Sequence, residues 1–308
     1  MSWQRPAILA GVALAAFLAI DLGLHFGQIR HDQLDYDIAR EFPEALTVRP
    51  GEVFAASLAA IVDGEQHTGF GWRPNDFALW GPYVMADNNA SRQLGIIMAV
   101  RETSRVFKDH LTKVSSDQYD VNLVAADTNL RNDAERWILP SPESRYDLAV
   151  EHLRKYVAGL RATPQTSREL NGRAVELVRL IQTWTDLLGD AHANLYRTKR
   201  DDGAPVRAWN VDDYFYHAQG YAHVIFHMMQ AVKRDYAQVL KEDPILTTLV
   251  DDTIDALRKA ATLKPVMVMD GASDGLFANH RRNLDAYVTE ARQKMYSIRE
   301  ELRRSPMS

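Results

Sequence analysis

Two histidines one helical turn apart, His223 and His227, and two aspartates at the same spacing, Asp186 and Asp190, with His192 just beyond, are the residues of this 308-residue chain whose types and spacing could do chemistry. Imidazoles at i and i+4 can chelate a transition metal, and a mixed set of imidazoles and carboxylates suits Zn or Mn. No Glu follows the first histidine, as it does in the His-Glu-x-x-His helix that carries a general base, so a third ligand has to come from another element. Convergence of Asp186, Asp190, His192, His223 and His227 would make a divalent-metal site fit for a hydrolase. Plainer readings stay open. Like charges at Asp186 and Asp190 repel slightly on an isolated helix and ask for a cation. Arg179 and Arg197, with a basic flank of Arg101, Arg105 and Lys108, could meet them in an interhelical salt-bridge network. Turning about 100° per residue from Ile225 as the centre of the apolar face, Tyr216, His223, His227 and Arg234 point the opposite way. The histidine pair is therefore expected on a surface, solvated or facing a partner.

Other catalytic signatures are absent. The chain has no Gly-x-Ser-x-Gly elbow, no phosphate-binding glycine loop, no dinucleotide fingerprint and no cysteine. Residues 270–275, Asp-Gly-Ala-Ser-Asp-Gly, read as a turn, because the downstream Glu of a calcium loop is missing. The composition, 46% hydrophobic and 25% charged with 16 Gly and 12 Pro, is that of a globular domain able to bury a sizeable core. A net charge of -5 without a basic patch argues against nucleic acid as a partner. Lack of cysteine permits any redox compartment.

The elements that must position these residues read as helices. Amphipathic stretches run over 52–62, from about 91 to 114 with Ile96, Val100, Phe107, Leu111 and Val114 on one face, over 120–137, and over 144–160. The clearest helix spans 167–196, where Leu177, Ile181, Trp184, Leu188, Ala191 and Leu195 alternate at spacings of four and three, the pattern of a bundle seam. Further helices are expected over 211–240, 244–261 and 276–304, the last with Leu284, Tyr287, Ala291, Met295, Ile298 and Leu302. Residues 266–269 are the lone strand candidate. The expected fold is all-α: a multi-helix bundle with a long aromatic-rich loop, preceded by one transmembrane helix.

That loop interrupts the helical pattern between Asp63 and Ala90. Its two Trp, two Phe and Tyr are too many aromatics for disorder. It is either a lid that covers one end of the bundle or a ligand or partner loop in which Trp72, Asp76, Trp80 and Asp87 are the candidate residues. Trp72, Phe77, Trp80 and Tyr83 are expected to be largely buried, and Asp76 and Asp87 to cap loop backbone or the next helix.

Ahead of the bundle, Pro6 to Phe26 is apolar over about the 20 residues that one crossing of a bilayer needs. A cleaved signal peptide is the competing reading. The length of the run, the lack of a small-x-small cleavage site and an interfacial Trp3 favour an uncleaved anchor. Basic residues on its flanks nearly cancel, but a very short N-terminal tail most simply stays in the cytoplasm, which puts the body in the periplasm of a bacterial inner membrane. Asp21 and His25 share one side of this helix; near its end they can reach headgroups, and a partner or proton role is the sharper alternative. Gly11 and Ala15 form a small-xxx-small face that permits helix pairing. The expected organisation is a tail and anchor over 1–29, a linker over 30–50, a helical domain over 51–304 and a tail over 305–308.

The strings Gly-Trp-Arg-Pro-Asn-Asp-Phe-Ala-Leu-Trp-Gly-Pro-Tyr over 71–83, Asp-Asn-Asn-Ala-Ser-Arg-Gln-Leu-Gly over 87–95 and Arg-Glu-Thr-Ser-Arg over 101–105, with Leu-Ile-Gln-Thr-Trp over 180–184 and Leu-Leu-Gly-Asp-Ala-His-Ala-Asn over 187–194, resemble a family of uncharacterised bacterial inner-membrane proteins carried as a domain of unknown function. The resemblance covers most of the helical domain. It implies membrane attachment and no established chemistry. Two functions remain in view: a membrane-anchored, non-catalytic binding or scaffold protein of the envelope with a protein partner, and a metal-dependent periplasmic hydrolase.

Overall fold

A computed structural model describes residues 4–31, 36–76, 87–112, 118–199, 202–206, 210–265, 268–271 and 278–304, with side chains in the first helix limited to residues 5–20 and Gly23. The helices are α1 (Gln4–His31), α2 (Ile38–Glu41), α3 (Glu52–His67), α4 (Asp87–Val106), which runs on into a π-helical turn (Phe107–Leu111), α5 (Val121–Leu130), α6 (Pro142–Arg161), α7 (Ala174–Leu195), α8 (Val211–Asp235), α9 (Ala237–Glu242), α10 (Pro244–Ala261) and α11 (His280–Arg304). Among the described residues there is no strand, only isolated bridges at Lys199 with Pro205 and Asp270 with Asn279. The strand candidate lies half outside the described residues, and its described half is not a strand.

Local chemistry sets several helix starts. Asp120 accepts from the backbone N–H of Asn122 and Leu123 to cap α5, and Asp243 does the same for Ile245 and Leu246 of α10, with Pro244 in the first turn. The residue before α3 is Gly51, at φ 91°, which has no side chain to cap with. Asp235, brought in from the far end of α8, takes the Phe54 N–H at 2.8 Å instead.

The α7 seam is buried as its spacing predicts, from Leu177 to Leu195. On α11 the same holds for Leu284, Ala291, Met295, Ile298 and Leu302, with Tyr287 half-buried. Ile96, Val100, Phe107 and Leu111 are also buried, while Val114 lies outside the described residues. Bounds differ where polar groups intervene. The helix expected over 120–137 stops at Leu130, and the one expected over 211–240 breaks at Asp235 and Tyr236. Helix α8 is the hub, packed against α4, α10, α7, α3 and α11, while α6 joins α3 to α5.

Helix α1 is 28 residues long. Its Ile8, Leu9, Val12, Leu14, Leu18 and Ile20 are all exposed. Among the described residues no helix is long and apolar enough to cross a membrane. Asp21 and His25, and the apolar side chains around them, fall outside the described side chains.

Candidate functional site

Helices α4 and α8 touch backbone to backbone at Gly95 and Gly220. A Cβ on Gly95 would stand 2.1 Å from the carbonyl oxygen of His217, and one on Gly220 2.3 Å from that of Arg92. Residues without a Cβ allow this approach. It shuts the neighbouring polar side chains into the interior. Arg92, 2% exposed, donates through Nη1 to both carboxylate oxygens of Glu65 on α3, at 3.0 and 3.3 Å. Next to it the rings of His223 and His227 meet edge-on with centroids 4.7 Å apart. Burial, with the Arg92 charge adding to it, holds the His223 imidazole neutral well below its usual range and pushes His227 down to about 4. Their Nε2 and Nδ1 atoms respectively are buried without a hydrogen-bond partner.

The segment between α3 and α4 is fastened over this seam. The Gln93 amide accepts from the Arg73 N–H at 2.8 Å and donates to the carbonyls of Gly71 and Glu65 at 3.0 and 3.2 Å. The side chain of Trp72 is buried against Tyr146, ring centroids 5.0 Å apart, and its Nε1–H donates to the Ala134 carbonyl at 2.9 Å. Asn75 reaches the Arg136 carbonyl and Glu143. Through these bonds the aromatic-rich segment also organises the loop between α5 and α6.

The expected metal set does not assemble. His223 and His227 meet each other, but they lie inside the protein, which corrects the surface placement expected for them. The apolar-face argument fails because five helices pack around α8, so His223 and His227 on its polar side are covered too, beside Arg92 of α4. A cationic guanidinium beside them disfavours a metal ion. Asp186 and Asp190 are exposed on α7, with Asp186 accepting from Gln182 at 2.6 Å. The basic flank expected to meet them goes elsewhere: Arg101 donates to the Leu130 and Asn132 carbonyls, Arg105 pairs with Glu102, and Lys108 pairs with Asp127. Among the described residues no group of three or more His, Asp or Glu is placed to hold a metal ion.

His192 instead finds a partner that the sequence reading missed. Its Nδ1 lies 2.7 Å from Oδ1 of Asp285 on α11, with Asp285 buried and the imidazole 40% exposed. Thr289 Oγ1 is 3.4 Å from the same nitrogen, and the His192 ring packs on Tyr196. The pair staples α7 to α11. Asp285 follows Leu284 on the buried side of α11, a position whose charge signals a partner on the facing helix.

Of the loop candidates, Trp72 is buried as expected. Asp76 pairs with Arg73, Oδ2 to Nε 2.7 Å, and burial raises its carboxyl above the usual range. Trp80, Phe77 and Tyr83 lie outside the described residues, as does the Asp87 side chain. On the other face of α3, Asp63, His67, Asp147, Glu151, Arg154 and Lys155 line an open cleft of about 470 Å³. Tyr36, Glu41, Thr68 and Ala60 line its neighbour of about 440 Å³, and the Asp63–Arg154 ion pair, 3.0 Å, borders both.

The chain is thus a helical bundle with one central helix, a His-His-Arg-Glu seam beside it and an aromatic clamp over that seam. The chain matches the family described as "Uncharacterized protein conserved in bacteria (DUF2333)" over residues 7–203 and 185–305, and it belongs to that family. Neither a curated protein nor a solved structure matches it.

Proposed function

We propose that this protein is a membrane-tethered helical domain of the bacterial envelope that acts by binding a partner, with its body on the periplasmic side of the inner membrane. The observation that carries the reading is α1: Ile8, Leu9, Val12, Leu14, Leu18 and Ile20 are exposed around a single 28-residue helix. In water such a surface is costly, while in hydrocarbon it is the solvated state, and the helix satisfies its own backbone there. The sequence continues the apolar run through Leu22, Leu24 and Phe26 to the length a bilayer requires. Binding is favoured over hydrolysis because Arg92 is spent on Glu65 and His192 on Asp285, while His223 and His227 are buried beside the Arg92 charge.

Alkaline carbonate extraction of membranes from cells expressing the full chain tests the tether. Retention in the pellet is expected; release into the supernatant overturns it. Cross-linking in intact cells, then gentle solubilisation, should recover a reproducible envelope protein. Recovery of none at native expression level refutes the binding role.

A further inference from the structure

We infer that the seam between α7 and α11 carries a docking strip for an acidic polypeptide segment, read by Arg282, Arg292 and Arg299 laid over Tyr196 and Tyr296. The inference rests on the binding role proposed above and names the chemistry of the partner. The two helices run antiparallel here, since His192 meets Asp285 and Gly189 lies against the end of Arg292. At 100° per residue, Arg282, Arg292, Tyr296 and Arg299 fall within about 100° of one another, on one side of α11. From Arg282 to Arg299 that side runs about 25 Å.

Charge on the strip is unspent. Arg92, Arg154, Arg161 and Arg258 each meet a carboxylate. Among the described residues no carboxylate pairs with Arg282, Arg292 or Arg299. Carboxylates on the same two helices are already answered: Asp186 by Gln182, Glu290 by Lys294 and Glu300 by Arg303. In a chain of net charge -5, unanswered cations gathered on one face attract an anionic partner.

Stacking fixes the guanidinium planes. The Arg282 guanidinium carbon lies 3.8 Å from the Tyr196 centroid, and those of Arg292 and Arg299 each lie 5.6 Å from that of Tyr296. A ring beneath a guanidinium holds its plane and leaves the outer N–H edge free to take a carboxylate. The Nε atoms of Arg292 and Arg299 are shut off from solvent without a hydrogen-bond partner, so these two residues present their Nη groups. The platform is also rigid. His192, held at Nδ1 by the buried Asp285, packs its ring on Tyr196 with centroids 4.8 Å apart, which sets the surface under Arg282 before a partner arrives.

The strip suits a polypeptide rather than a lipid or a small anion. Over residues 186–196 and 282–304 the only large apolar side chains exposed are Tyr196 and Tyr296, so nothing aliphatic is offered to acyl chains. Arginines spread over about 25 Å match carboxylates carried along a chain, one for each guanidinium fork.

The test uses full-length protein in mild detergent, with a fluorescein-labelled peptide of alternating Glu and Ala as the probe. Expected is binding, read by fluorescence anisotropy, that weakens as NaCl is raised and falls at least about tenfold when Arg292→Glu and Arg299→Glu are combined. Arg292→Lys with Arg299→Lys keeps the charge and should retain part of the binding, while Lys241→Glu on α9 should retain all of it. Should the Glu variant lose its helical circular dichroism, the salt dependence and the Lys variant decide. In intact cells, Gln293→Cys with a thiol-linked photocross-linker should capture a protein segment rich in Asp and Glu. Absence of peptide binding, binding indifferent to salt and to the Glu changes, displacement of the peptide by equimolar inorganic phosphate, or a lipid adduct at position 293 each overturns the inference. If cross-linking elsewhere on the chain still recovers a partner, the binding role stands without the strip. Recovery of no partner from cells removes that role, and the strip with it.

Discussion

Replacing Gly95 with Ala is expected to destabilise the protein by about 2 kcal/mol or more, although the same change in an ordinary helix interior would add up to about 1 kcal/mol of stability through propensity. The new methyl would sit 2.1 Å from the His217 carbonyl oxygen, where ordinary contact begins at 3.4 Å, and 3.0 Å from the carbonyl carbon. Both neighbours are backbone of α8, so no side chain can turn aside. The helices must separate by about 1 Å, and a gap of that size forfeits a quarter to a half of each dispersion contact along the seam. Gly220→Ala meets the Arg92 carbonyl oxygen at 2.3 Å and the Ile96 nitrogen at 2.8 Å and should cost a similar amount. Because one separation relieves both clashes, the double variant should lose clearly less than the sum of the singles. Gly189→Ala is the control: its Cβ would meet only the end of the flexible Arg292 side chain, Nη2 at 2.9 Å, so it should be neutral or stabilising. Urea unfolding of the full chain in mild detergent, followed by circular dichroism, measures all four. Stability of Gly95→Ala equal to or above wild type would refute the close approach, and with it the enclosure of Arg92, His223 and His227.

Acid should weaken the fold before carboxylates protonate. His217 and His227 are pushed down to about 4 by burial, and His223 lower than its usual range, so the unfolded chain takes up protons first; stability present above pH 6.5 drains as pH falls toward 4. His217 and His227 each contribute about 3 kcal/mol to that slope, and His227→Phe should flatten it in denaturation series across this window. Asp235 behaves oppositely: burial raises its carboxyl to about 7, so the folded state keeps a proton that the unfolded state releases, and stability is lost as pH rises from about 4 to 7. Asp235→Asn can still accept the Phe54 N–H, and its stability relative to wild type should improve over that rise; a difference flat with pH contradicts the assignment. Trp72→Ala should cost about 3–5 kcal/mol by thermal melting, because it empties a buried aromatic site and frees the Ala134 carbonyl; wild-type stability would show that the clamp carries no load.

Helix type and core were legible because a 3.6-residue apolar period survives tertiary context when one face is buried and the other wet. Helix α7 is the case in point, where every seam residue from Leu177 to Leu195 is buried. The boundaries were less so. At the end of α5 the carbonyls of Leu130 and Ala134 are taken by Arg101 and Trp72, partners 29 and 62 residues away that no local pattern contains.

The seam escapes the sequence for a related reason: projecting an apolar face around a helix assumes that the opposite face is in water. In α8 the residues from Tyr214 to Val232 carry no Asp, Glu, Lys or Arg, a stretch of 19 residues that no solvated face would leave without charge. That signal, with Gly220 in mid-helix and Gly95 in mid-α4, is what marks a hub. Once α8 is a hub, its histidines have no water to fall back on, and burial beside a guanidinium makes them neutral rather than ligands awaiting a metal. Asp285 shows the converse. A lone carboxylate on a buried helix face cannot stay unpaired, so its presence between Leu284 and Val288 demands a donor on the helix packed there. On α7 that donor is His192, and the residue first read as a metal ligand is spent holding two helices together.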